Sequence, residues 1–161
     1  MKLRHKLGCA LFLALMVSAP VMGTADSTAI LVASRGDVMA ETAGESRTLS
    51  RGDGVNESDR VITGDKSFAI LQFVDGAKVT VRPNTVLDIK QYVYSGAEGN
   101  AATLSLVEGG LRVITGAMAK TEPESFKVET PVALMGVRGT EFAVVLCEDG
   151  SVCEEEGLDI E

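Results

Sequence analysis

Histidine is almost missing from this 161-residue chain; it occurs once, at His5. Residues 1 to 25 read as a secretory signal. Lys2, Arg4, His5 and Lys6 form a basic start, Leu7 to Val17 is mostly apolar, and Gly23-Thr24-Ala25 supplies the small residues of a cleavage site. Export would therefore leave no imidazole, which excludes every His-containing triad, Cys-His pair and His-ligated metal site. Long apolar runs are lacking too. Leu7 to Val17 is too short to cross a bilayer, so no membrane span is expected after signal cleavage.

Basic residues are few. Loss of Lys2, Arg4 and Lys6 takes the 15 Lys and Arg down to 12, against 23 Asp and Glu, leaving a net charge of −11 over 136 residues. Such a chain repels phosphate backbones, and no Lys/Arg cluster with interleaved aromatics offsets this, so nucleic acid is excluded as a partner. The sequence has no Gly-x-Ser-x-Gly elbow, phosphate loop, dinucleotide fingerprint or Asp-x-Asp-x-Asp calcium loop. No catalytic residue, cofactor or metal site is expected, and the chain reads as a non-enzyme.

Cysteine is the third scarcity, with three residues. Cys9 precedes the apolar core of the signal instead of closing it, which argues against lipidation. Cys147 and Cys153 flank Glu148-Asp149-Gly150-Ser151-Val152. A three-residue turn at Asp149-Gly150-Ser151 would set the two sulfurs opposite each other, and an oxidising compartment would close a disulfide, with two free thiols as the alternative. The closed loop is short, so the bridge would contribute about 2 to 3 kcal/mol.

What is present is strand-like. Val, Ile, Thr and turn dipeptides recur at the cadence of short strands, which predicts an all-β fold with almost no helix. Short antiparallel strands and hairpins would stack as a compact β-solenoid-like or sandwich-like domain over residues 26 to 153, before an acidic tail at 154 to 161. Runs at Ala29 to Ser34 and Val38 to Ala40 flank the turn Arg35-Gly36-Asp37. Ser67 to Val74 and Ala77 to Val81 form a hairpin around Asp75-Gly76, and Pro83-Asn84 ends the second strand. Ala102 to Val107 and Leu111 to Ile114 read as another hairpin, around Glu108-Gly109-Gly110. Gly116 to Glu124 is the least patterned stretch; Lys120 to Glu124 reads as a polar, mobile connection, and Met118 could cap an edge.

Ser-Arg-Gly-Asp occurs at Ser34 to Asp37 and Ser50 to Asp53, and Arg-Val-Ile-Thr-Gly at Arg60 to Gly64 and Arg112 to Gly116. The spacings differ, so no strict repeat follows. Tyr92 and Tyr94, two apart on a strand, share one face. They form either a ligand surface or a packing pair.

The most informative stretch runs from Thr130 to Phe142. Its Gly136 and Gly139 mark a bend between two short strands, and its charges Arg138 and Glu141 sit in apolar surroundings where each would need a partner. Arg138 reads as a lock that donates to backbone carbonyls or to Glu141, or else as an exposed recognition residue. The last strand, Phe142 to Leu146, would be the first arm of the cysteine hairpin. Its turn repeats the earlier one, with Cys147 and Cys153 in the places of Phe73 and Val79.

Thr130-Pro131, followed by Val137-Arg138-Gly139-Thr140-Glu141-Phe142, resembles the signature of the FecR family, named for the regulator of ferric dicitrate transport. Gly52-Asp53, Asp59-Arg60-Val61-Ile62-Thr63-Gly64, Ala69 to Gly76 and Leu106 to Leu111 follow the family's order, so that the resemblance covers residues 52 to 150. It implies a periplasmic or secreted all-β module for protein interaction or signalling in the bacterial cell envelope, with no catalytic residues. In the family the regulator carries a cytoplasmic sigma-factor-binding region and a membrane span ahead of this domain. Neither is seen here, so transmembrane signalling by this chain alone is not expected. The expected partner is an envelope protein; a glycan or another cell-wall component is the alternative, suggested by the compartment and by a flat β surface with Tyr92 and Tyr94. The acidic tail departs from the family's pattern of strand, glycine turn and strand, and its charge would keep an exposed edge from pairing with other chains.

Overall fold

The computed structural model describes residues 27–137 and 141–146. The signal, Arg138, Gly139, Thr140, both C-terminal cysteines and the tail lie outside the described residues, and with them the readings made of the cysteine bridge and the Arg138 lock. The described chain is all-β, and of the two architectures foreseen it takes the sandwich. Sheet A has the strand order β13(Glu141–Val145), β10(Gly110–Ile114), β7(Lys78–Val81), β6(Phe68–Phe73), β1(Ala29–Arg35), β4(Gly54–Val55). Sheet B runs β12(Leu134–Gly136), β11(Phe126–Glu129), β9(Ala101–Glu108), β8(Thr85–Val93), β5(Arg60–Thr63), β2(Val38–Thr42), β3(Glu45–Thr48). The pairing is antiparallel except between β9 and β11, which run parallel.

Alternation supplies the core. Leu31, Leu71, Val79, Val81, Leu111 and Val113 from sheet A meet Val38, Val61, Leu87, Ile89, Leu104 and Val128 from sheet B, all essentially inaccessible to solvent. The Asp75-Gly76 hairpin forms as foreseen, with Leu71 opposite Val79 and Gln72 opposite Lys78. Phe73 therefore closes on Ala77, whose carbonyl accepts its N–H at 2.9 Å, and Val79 is not its partner. The earlier hairpin is thus no template for two cysteines directly opposite each other.

Several readings of the connections are corrected by how often the chain changes sheet. β9 and β10 do not form a hairpin: β9 lies in sheet B and β10 in sheet A, and Glu108-Gly109 is the corner between them. Arg35-Gly36-Asp37 and Arg82-Pro83-Asn84 are corners of the same kind. Buried polar side chains hold these corners, because carbonyls and N–H groups leave the ladders there and need partners. Thr63 Oγ1 donates to the Arg82 carbonyl and accepts from Thr85 N, Thr85 Oγ1 donates to the Gly110 carbonyl, and Ser67 Oγ accepts from Asp37 N.

Lys120 to Glu124, expected as a mobile polar link, is ordered as part of α1(Ala117–Thr121) and a 3-10 turn, Pro123–Ser125. Met118 does not cap an edge; it is fully buried and closes one end of the core with Ala119. Both Ser-Arg-Gly-Asp copies turn at their glycine, Gly36 at φ 72° after the end of β1 and Gly52 at φ 97°.

Candidate functional site

The stretch singled out by its sequence builds the open side of the sandwich. β11 ends in a tight turn in which the Thr130 hydroxyl accepts the N–H groups of Val132 and Ala133, while Thr130 N donates to the Ala133 carbonyl at 2.8 Å. A threonine that satisfies its own turn, followed by a proline that needs no N–H partner, explains why Thr130-Pro131 sits here. The chain then returns as β12, the edge of sheet B. Val137 turns inward, 6 % exposed, and its N–H reaches the Phe126 carbonyl at 3.2 Å. Beyond residues 138–140, β13 begins at Glu141 as the edge of sheet A.

The two edges face each other across a groove of about 320 Å³ lined by Met135, Gly136, Val137, Glu141, Phe142, Ala143 and Val144. Met135, Phe142, Val144 and Leu146 pack on the core yet remain only half-buried, since no further strand covers them among the described residues. The signature residues Val137, Glu141 and Phe142 thus meet in one groove, while Thr130 and Pro131 stand at its hairpin. Glu141 was expected to need a partner in apolar surroundings. It has one, Arg112 on β10, but the pair lies at the surface with both side chains more than a third exposed.

Beneath the groove is a cluster that sequence reasoning missed. Asp75, foreseen only as a turn residue, is 7 % exposed, and its carboxylate accepts Tyr92 Oη at 2.7 Å, Ala77 N at 3.0 Å and Met118 N at 3.3 Å. Tyr92 stacks on Phe73 with ring centroids 4.2 Å apart and meets the edge of Phe126 at 6.3 Å. The groove therefore rests on a continuous chain of contacts: Val137 to Phe126, Phe126 to Tyr92, Tyr92 to Asp75, and Asp75 to the start of α1.

Of the two readings of Tyr92 and Tyr94, a ligand surface or a packing pair, the structure takes the packing one. Strict alternation from Leu87 and Ile89 would point Tyr92 outward, but the β8–β9 register shifts between Ile89 and Gln91. The extra residue reverses the parity, as a bulge does, and turns Tyr92 into the core; Tyr94 is half-buried against it. Nothing in the sequence of β8 marks that bulge.

Burial, and then the hydrogen bond to Asp75, push the Tyr92 hydroxyl above its ordinary value. The folded state thus holds this proton more tightly than the unfolded chain does. Its contribution is complete below about pH 10, where a free tyrosine ionises, and is lost as pH rises further. We expect alkaline spectrophotometric titration to show Tyr92 ionising only together with unfolding. Ionisation of both tyrosines in a chain that is still folded would contradict the buried placement.

A second, larger hollow of about 550 Å³ opens on sheet B, lined by Glu41, Ser58, Asp59, Arg60, Asp88 and Lys90 among others. Its charges are engaged with one another or with neighbours. Arg60 forks onto Asp88 at 2.6 and 2.9 Å, and Lys90 reaches Glu129 at 2.7 Å. Asp59, 2 % exposed, takes Arg47 at 2.8 Å and Asn56 N at 2.9 Å, and also accepts from Thr42. This network ties β2, β3 and β5 together and engages the hollow's charges with one another and with neighbouring groups. We therefore place the candidate site at the groove.

A family model described as FecR protein matches residues 59–155, and so takes in the whole groove. No curated protein and no solved structure matches the chain. Among the described residues, no helix is long and apolar enough to cross a membrane.

Proposed function

The chain belongs to the FecR family, a family of signalling and regulatory domains, and on that premise we propose that it is an exported, non-catalytic module that binds a protein partner in the bacterial cell envelope. The observation that carries this reading is the groove between β12 and β13. The described signature residues Val137, Glu141 and Phe142 line a groove beside the half-covered Met135 and Val144, and an exposed apolar surface of that kind marks an interaction site. The basic and apolar N-terminus, with Gly23-Thr24-Ala25 at its end, supports export to the periplasm or beyond. The glycan alternative drew on the compartment and on a flat β surface with Tyr92 and Tyr94, and with Tyr92 in the core only the compartment is left to suggest it.

The test is capture from a periplasmic extract of the producing cell, with the exported chain as bait. A protein retained by the wild type and released when Phe142 is changed to Ser supports the reading. A bait that retains nothing, or binds cell-wall sacculi in its place, overturns it.

A further inference from the structure

Four strands end the two sheets, and they are not equally protected. β3 is Glu45-Ser46-Arg47-Thr48, fully exposed and charged; β4 has only two residues; β13 opens with Glu141 and precedes the acidic run Glu154-Glu155-Glu156 in sequence. Each has a feature that discourages pairing with another chain. β12 has none. Its Leu134-Met135-Gly136 bears no charge, and the two most exposed large apolar side chains among the described residues, Val132 at 88 % and Leu134 at 63 %, stand on it and its turn.

The backbone direction of this edge follows from the β11–β12 register. Thr130 pairs with Ala133 and Phe126 with Val137 through hydrogen bonds, and Val128 lies opposite Met135. In an antiparallel ladder such pairs alternate, so Ala133, Met135 and Val137 bond toward β11 while Leu134 and Gly136 direct their N–H and C=O groups away from the sheet. Neither has a backbone partner there among the described residues.

We propose that β12 is a docking edge for an extended segment of a partner protein, with apolar residues alternating with Lys or Arg, which adds to sheet B beside Leu134–Gly136. This rests on the reading of the chain as a protein-binding module. Backbone groups without a partner among the described residues can take another strand, and main-chain bonding with alternate side chains in pockets is how such edges recognise peptides. Apolar residues on one face of the added strand enter the 320 Å³ groove over Met135, Phe142 and Val144. The other face meets Leu134. Charge sets the partner's sign: the exported chain carries a net −11, and no basic residue lines the groove, whose one ionisable lining residue, Glu141, is paired with Arg112. A second copy would bring the same charge and is disfavoured.

The probe is a ten-residue peptide of alternating valine and lysine, titrated against the exported chain by fluorescence anisotropy. Gly136→Pro removes one outward N–H, and a Cβ at this position has no neighbour within 4 Å, so the fold should persist. We expect this variant, and separately a peptide N-methylated at every second residue, to weaken binding by about tenfold or more, with glutamate in place of lysine abolishing it. Leu134→Glu serves as the second variant, should Gly136→Pro fail to fold. Undetectable binding, or equal binding by wild type and the variants, overturns the proposal. So does concentration-dependent dimerisation that Gly136→Pro abolishes, because the edge would then belong to a second copy. Capture from periplasm separates the two readings: a partner held equally by wild type and Gly136→Pro leaves the interaction module standing and removes the edge.

Discussion

Asp75→Ala is expected to lower the stability of the folded chain by about 3 to 6 kcal/mol, enough to unfold a domain of ordinary stability. The carboxylate is 7 % exposed and receives three donors: the Tyr92 hydroxyl, Ala77 N and Met118 N. Its removal leaves all three without acceptors, and a buried donor without an acceptor costs about 1 to 3 kcal/mol. Asp75→Asn keeps one acceptor oxygen and should recover part of the loss. Tyr92→Phe should cost less than Asp75→Ala, because the two backbone donors still satisfy the carboxylate. Urea unfolding of the three variants and of the double variant closes a mutant cycle. An Asp75→Ala midpoint within error of wild type would show that the carboxylate does not hold the hairpin, Tyr92 and the start of α1 together. The same measurement bears on the site, since Tyr92 packs on Phe126, whose carbonyl holds Val137 at the groove.

Gly109→Ala should cost about 3 to 5 kcal/mol, far above what glycine-to-alanine changes in open turns cost. Gly109 turns the corner between the sheets at φ 79°, a region in which an L side chain is strained by about 1 to 2 kcal/mol. Its added Cβ would also stand 2.3 Å from Thr85 Oγ1, 2.4 Å from the Asn84 carbonyl and 2.7 Å from Thr85 Cα. Two of these atoms belong to backbone, so the corner formed by Pro83, Asn84 and Thr85 must shift, and with it the bonds between Thr85 and Gly110. Gly52→Ala is the matched control. Its φ is 97° but nothing lies within 4 Å of the added atom, so only the conformational term of about 1 kcal/mol applies. Thermal melts that place the two variants together would mean that the contacts at Gly109 relax without cost.

The class of fold, the hairpin at Asp75-Gly76 and the stretch that builds the candidate site were legible in the residues alone. These are local matters: β-branched residues prefer extended backbone, an Asp-Gly pair turns it, and a Thr-Pro with neighbouring glycines marks a bend whatever surrounds it. Tertiary structure alone decided which strands share a sheet. Ala102 to Val107 and Leu111 to Ile114 have the pattern of a hairpin, yet they lie in opposite sheets, because the pairings of β9 with β8 and β11 and of β10 with β7 and β13 bury more than a local pairing could. It also decided the parity of β8. One extra residue between Ile89 and Gln91 moves Tyr92 from a foreseen surface into the core, and since the side-chain period of a strand is two, a single bulge reverses every later residue. Asp75 was legible as a turn residue but not as the acceptor at the centre of a buried cluster, because Tyr92 and Met118 reach it from 17 and 43 residues away. The groove shows both sides of this division. Its residues could be named from the sequence, but its openness could not, because only the strand order places β12 and β13 at the ends of their sheets with their inner side chains half-covered.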